Sequence, residues 1–131
     1  MVERDVPGFI GNRLQHALWR ESIALVEKGI CTAEAIDTVV KGSFGRRLAV
    51  LGPMENADLV GIELTQAIHE RLLFDLDRSE CPSPRLQSLI DEGRTGMAAG
   101  AGFRRWEDGD LGATKRRIAV HLRKLDAILN Q

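Results

Sequence analysis

The sequence predicts an all-α chain of about five or six helices, and three observations carry that prediction. Apolar residues recur at three- and four-residue steps along most of the chain, which is the period of an amphipathic helix. No stretch alternates apolar and polar in the manner of a half-buried strand, and no segment repeats at a fixed period as a solenoid would. With 131 residues and 44% hydrophobic content, the chain has the size of one domain. A chain of that size buries roughly two thirds of its unfolded surface, so it is expected to fold alone or as a dimer.

The elements follow in order. Pro7 suits a first helical turn, and Phe9, Ile10, Leu14, Ala17, Leu18, Ile23, Leu25 and Val26 then keep helical spacing until Gly29 stops the run. Thr32 caps a second helix to about Lys41, with Glu34 in its first turn, where a carboxylate meets the positive end of the helix dipole. Glycines from Gly42 to Gly52 predict a loop or broken helix, and Pro53 opens a short helix to Leu59 that Gly61 ends. Leu64, Ala67, Ile68, Leu72 and Leu76 predict a long helix over 62–77, closed before Cys81-Pro82-Ser83-Pro84. Leu86, Leu89 and Ile90 mark a short helix ended by Gly93, and the glycine-rich stretch from Gly93 to Gly102 reads as loop. Asp110 caps a final helix with Ile118, Leu122, Leu125 and Leu129 on one side and Lys115, Arg116, Arg117, Arg123 and Lys124 over much of the rest.

Composition narrows the function. The formal net charge is −1, so no overall field points to nucleic acid or an anionic membrane. The charge is uneven: residues 54–92 carry nine acidic and three basic residues, residues 104–131 four acidic and seven basic. These are either complementary surfaces or two solvated faces. Cys31 and Cys81 have neither CxxC spacing nor clustered histidines, which predicts reduced thiols, no disulfide framework and no zinc site. No apolar run reaches the roughly twenty residues of a membrane span, and Met1 to Asp5 lack the apolar core of a signal peptide. A cytoplasmic protein is expected.

Catalytic motifs are scarce. His16, His69 and His121 fall on separate predicted helices, and His69 and the adjacent Glu70 are expected on different helix faces, so neither a metal site nor an acid–base dyad is indicated. The glycine loop Gly96-Met97-Ala98-Ala99-Gly100-Ala101-Gly102 is not GxGxxG and follows a helix rather than a strand, which excludes a dinucleotide fingerprint. Glu55, Asp58, Glu63, Glu70, Asp75 and Asp77 read as a solvated acidic face. Trp19 is expected in the core and Trp106 as an exposed anchor. Asn12 is the informative residue. As a poor helix former in the second turn of an apolar helix, it is either a tolerated surface residue or held by a hydrogen bond.

Three ordered motifs carry a resemblance. Pro7-Gly8-Phe9-Ile10-Gly11-Asn12-Arg13-Leu14 resembles a PGF-I-x-NRL segment, Glu21 to Gly29 an E-A-x-x-L-x-E-x-G segment, and Gly52-Pro53-Met54 with Ala57 to Gly61 a GP(F/M)…xDxxG segment. All belong to the C-terminal helical domain of NAD-dependent L-3-hydroxyacyl-CoA dehydrogenases and the related L-gulonate 3-dehydrogenase (lambda-crystallin) group. The resemblance implies one such helical domain over residues 1–131, with the Rossmann domain absent. It implies that NAD, and a His base paired with a Glu, sit on a separate nucleotide-binding chain or domain. This domain would then close the substrate cleft and form a homodimer. Asn12 corresponds to the Asn that orients the substrate's 3-oxygen and the catalytic His. In such a site Asn12 faces an open side of the first helix while Leu14, Leu18 and Leu25 turn inward. The chain departs from the family at Ala98 to Arg104, where K-T-G-x-G-F-Y is expected, and its basic final helix looks more like the lambda-crystallin group. The substrate is accordingly an acyl-CoA or another 3-hydroxy acid. The other reading is a non-catalytic helical interaction module derived from the same family.

Overall fold

The computed structural model describes Arg4 and residues 6–130. The expectations for the first residues of the chain and for Gln131 lie outside the described residues. Six helices succeed one another: α1 (Phe9–Glu27), α2 (Ala33–Gly42), α3 (Pro53–Val60), α4 (Ile62–Leu72), α5 (Pro84–Asp91) and α6 (Asp110–Leu129). No strand occurs among the described residues, so the all-α expectation holds. The chain gathers into two compact units, Met1–Arg85 and Leu86–Gln131, the boundary falling inside α5.

In the first unit, α1 starts later than the proline suggests. Gly8 adopts φ 81° and Phe9 φ 51°, left-handed values that break a helix, so Pro7 stays in the preceding turn and helical bonding begins after it. At the other end Gly29, with φ 69°, closes the helix as expected: its N–H reaches Val26 O at 3.0 Å and that of Ile30 reaches Leu25 O at 3.0 Å. This paired pattern satisfies the last carbonyls. Thr32 caps α2 by accepting from Ala35 N at 3.2 Å. Pro53 opens α3, where the Glu55 carboxylate accepts from Gly52 N at 2.8 Å.

The fourth helix is shorter than its apolar stripe implies, ending at Leu72 instead of 77 and leaving Leu76 outside it. The reason lies in polar side chains that give the backbone other partners. Glu21 of α1 accepts from Asp77 N at 2.7 Å, and Asp77 in turn accepts from the Ser79 hydroxyl at 2.8 Å and from Ser79 N at 3.1 Å. Arg20 donates to Ser79 O at 3.4 Å and lies 3.7 Å from Asp77 Oδ2. The Ser83 hydroxyl donates to Glu27 at 2.9 Å. A contact 56 residues away in sequence thus holds Asp77 out of the helix that its apolar stripe predicts.

In the second unit the glycine-rich stretch contains a 3-10 turn, Met97–Ala99, and antiparallel bridges Gly96↔Ala101 and Ala101↔Arg105. Arg94 fastens it by donating to Gly102 O at 2.7 Å. The cap of α6 is Gly109, at φ 91°, not Asp110. Asp110 is the first helical residue, and its carboxylate accepts from Glu107 N at 2.8 Å.

The expected burial is not met within this chain. Among the described residues the buried hydrophobic side chains are Ala24 in the first unit and Leu89 in the second. Leu14 and Leu18, expected to turn inward, are 57% and 38% exposed, and Ile118 and Leu122 of α6 are about half exposed. The helices carry apolar stripes that helix–helix contacts inside either unit leave uncovered.

Candidate functional site

The first three turns of α1 stand exposed on every side, from Phe9 to Arg20. Asn12, His16 and Trp19 lie at i, i+4 and i+7 and so share one face. The His16 and Trp19 rings meet edge to face with centroids 4.9 Å apart, a favoured aromatic geometry. Trp19 is therefore a surface residue, 48% exposed, and not the core residue its position in the stripe suggests. The Asn12 carboxamide is exposed and makes no hydrogen bond to any described residue. Arg13 next to it donates to Pro7 O at 3.3 Å, which fastens the entering chain to the start of the helix. Asn12 is thus an amide whose donor and acceptor groups are not taken by any described residue, on a helix face that the described part of the first unit leaves open.

Elsewhere in that unit, His69 and Glu70 line one open groove of about 440 Å³ on α4, together with Ile62, Thr65, Gln66 and Leu73. Adjacent residues on a helix point about 100° apart, so both can border the groove while keeping different faces. They still do not pair: Glu70 accepts instead from Gln66 at 3.2 Å. Asp77 has a carboxyl held in its charged form by its neighbours. The Ser79 hydroxyl bonded to its carboxylate holds it below the ordinary value of 3.8, with burial opposing and Ser79 N–H, Arg20 and Lys28 assisting. Its environment belongs to the joint between α1 and the α4–α5 link, and its role there is structural. In the second unit Trp106 is half-buried, with the Arg104 guanidinium 4.9 Å from its ring centroid, so the exposed anchor expected from sequence is a stacked pair.

The residues present do not fit a dinucleotide. The glycines of 93–102 follow α5 and close a small bridged loop around a 3-10 turn, whereas a pyrophosphate cradle needs a strand, a glycine turn and a helix N-terminus in succession. Among the described residues no three His, Cys, Asp or Glu side chains converge as metal ligands. No helix among them is long and apolar enough to cross a membrane. Sequence reasoning passed over Arg46 and Arg47, two exposed cations on the turn after α2. The signal available was the absence of any acidic residue between Asp37 and Glu55.

Residues 8–106 match the family model described as 3-hydroxyacyl-CoA dehydrogenase, C-terminal domain. The chain belongs to that family. The chain is 34% identical over 103 residues to 5-formyl-3-hydroxy-2-methylpyridine 4-carboxylate 5-dehydrogenase of Mesorhizobium japonicum, covering 79% of this chain and 33% of that protein. It is 50% identical over 62 residues to L-carnitine dehydrogenase of Streptomyces griseus, covering 47% and 18% of the two chains. Against human mitochondrial hydroxyacyl-coenzyme A dehydrogenase it is 37% identical over 109 residues, covering 79% and 33%. A crystal structure of the first enzyme's activity, described as an NAD+ dependent dismutase, superposes with a TM-score of 0.84 at 33% identity over 97% of this chain and 40% of that one. The chain therefore spans a third or less of the length of these curated relatives. The matched region of this domain contains Asn12 and the departing loop, while α6 lies beyond it.

Proposed function

We propose that this chain is the substrate-closing and dimerising domain of an NAD-dependent 3-hydroxyacyl-CoA or other 3-hydroxy acid dehydrogenase, working with a nucleotide-binding domain carried elsewhere. The observation that carries the reading is Asn12: in a chain of this family, the NRL asparagine presents a carboxamide without a partner among the described residues, on an exposed face of α1. A carboxamide N–H aimed at a carbon-bound oxygen stabilises negative charge as it develops there, by about 2 to 4 kcal/mol in a closed site. Its carbonyl oxygen remains available to accept from a neighbouring imidazole N–H. Asn12 positions and polarises; the other domain would hold NAD, which would supply the hydride acceptor, and a His that would take the proton. The exposed Leu14, Leu18 and α6 apolar positions are the surface that this domain and a second copy of the chain cover. The assembly is placed in the cytoplasm.

The test is reconstitution. The purified chain is mixed with a nucleotide-binding domain from the same family, and NAD reduction is followed with 3-hydroxybutyryl-CoA and L-gulonate. Activity that needs both chains and falls on Asn12→Ala supports the reading; activity indifferent to Asn12, or none with either substrate, sinks it.

The second reading, a non-catalytic interaction module, is favoured by the loop at Ala98–Arg104, where the family's Lys, Thr and Tyr are replaced and Arg104 stacks on Trp106. A stable dimer with no acyl-CoA binding by calorimetry would support it.

A further inference from the structure

We propose that the edge-to-face pair His16–Trp19 is the subsite for the substrate's tail, and that this tail is uncharged and apolar. The substrate class is then a 3-hydroxyacyl group of medium chain length, and a polyol acid such as L-gulonate is excluded. This rests on the reading above that Asn12 meets the 3-oxygen.

Helix geometry joins the pair to Asn12. At about 100° per residue, Asn12, His16, Trp19 and Ile23 fall within an arc of about 60° on α1. Along the axis His16 stands about 6 Å and Trp19 about 10 Å beyond Asn12. Side chains four apart on a helix are neighbours, so Asn12 borders His16, and His16 in turn touches Trp19 with ring centroids 4.9 Å apart. Ala24, the buried residue of α1, lies about 120° round from Asn12. The row therefore runs along a side of the helix turned from its interior contact.

The row changes character along its length. It starts at a carboxamide, passes an imidazole set edge to face with an indole, ends at Ile23, and holds no Asp, Glu, Lys or Arg. The cations beside it are engaged elsewhere: Arg13 donates to Pro7 O, and Arg20 donates to Ser79 O and lies 3.7 Å from Asp77. A ligand lying along the row meets a hydrogen-bonding group at one end and apolar surface at the other. That order matches a 3-hydroxyacyl chain with its oxygen at Asn12 and its carbons beyond the third running toward Trp19. Reversing the chain would put its carboxyl or thioester end on the rings, where the row offers no Lys or Arg.

Trp19 is 48% exposed, and His16 packed against it restricts its rotamers. Its open area is thus presented in one orientation, which lowers the ordering cost of covering it. A tail must extend about 10 Å along the helix axis from Asn12 to reach the indole, so a short acid such as 3-hydroxybutyrate leaves it uncovered.

The full chain is labelled with fluorotryptophan, which gives one fluorine resonance for each of its two tryptophans. Trp106→Phe assigns them, and Trp106, stacked with Arg104, serves as the internal reference. 3-Hydroxybutyrate, 3-hydroxyhexanoate, 3-hydroxyoctanoate, 3-hydroxydecanoate and L-gulonate are titrated in turn. The expected result is a saturable shift of Trp19 alone with the longer tails, affinity rising roughly fourfold for each methylene that reaches the rings. In the reconstituted mixture kcat/KM for NAD reduction should rise along the same series, run both as free acids and as coenzyme A thioesters. A rise confined to one carrier supports the subsite and names that carrier. Trp19→Ala should flatten the rise, and Trp19→Phe, which keeps an aromatic face, should retain most of it. A profile independent of tail length, a rise unchanged in Trp19→Ala, an equal response at Trp106, or a Trp19 response to L-gulonate as strong as that to 3-hydroxydecanoate overturns the proposal. It falls alone if the mixture reduces NAD without regard to tail length or Trp19. If the mixture reduces no NAD while the Trp19 shift still follows tail length, the dehydrogenase reading falls and the tail subsite stands.

Discussion

Asn12 is an exposed amide in the second turn of α1. Its helix position is unfavourable by propensity, and the structure offers it no internal partner, so nothing within the described residues compensates for its presence. Asn12→Ala should leave the thermal midpoint of the chain unchanged or raised slightly, since alanine is the better helix former. The same change should lower kcat/KM of a reconstituted enzyme by roughly 10²- to 10³-fold. Circular dichroism melting and NAD reduction read the two separately; a large loss of stability would identify a structural residue instead. Asp77 makes a different kind of prediction. Its folded-state pKa lies below the ordinary 3.8, so its bonded carboxylate adds stability that is fully present above that value and is lost as the pH falls through the lower folded one. Asp77→Asn should therefore melt earlier than the parent at pH 7, and the gap should close below about pH 3.8. A gap independent of pH would mean that the charge is not what holds Ser79.

Element boundaries divide into those set by local chemistry and those set by distant contacts. Thr32 is a local case: the residue type and its bond to Ala35 N agree, and Thr32→Ala should destabilise by about 1 kcal/mol in chemical denaturation. Gly61 is another, joining α3 to α4 at φ 101°. Gly61→Ala should cost more than the roughly 1 kcal/mol of a favourable backbone exchange, because an L side chain resists that conformation. The end of α4 is not local. Leu72 and Leu76 keep the helical period, but Glu21 takes the Asp77 N–H, and no periodicity reports a carboxylate so far away in sequence. Glu21→Gln should weaken that joint, with faster amide exchange at Asp77 and Ser79. The start of α1 is local again, since the left-handed backbone of Gly8 and Phe9 overrides the preference of the neighbouring Pro7 for a first turn.

For the whole molecule, burial is the decisive quantity. Each unit encloses one buried hydrophobic side chain among those described, Ala24 and Leu89, while its helices expose apolar stripes. Association follows as an expected outcome: sedimentation should show a dimer, and dilution should expose surface that binds a hydrophobic dye. Leu89→Ala should cost about 2 to 5 kcal/mol if its pocket cannot collapse.

The helix count, the Thr32 cap, the glycine stops at Gly29 and Gly93, and the ordered family motifs were all determined by the sequence alone, because each depends on neighbours within a few residues. Tertiary structure alone decided that Trp19 stands outside, that α4 stops at Leu72, and that Leu14 and Leu18 remain uncovered. Apolar spacing tells which side of a helix seeks cover, but cover comes from residues distant in sequence or on another chain, and spacing carries no record of them.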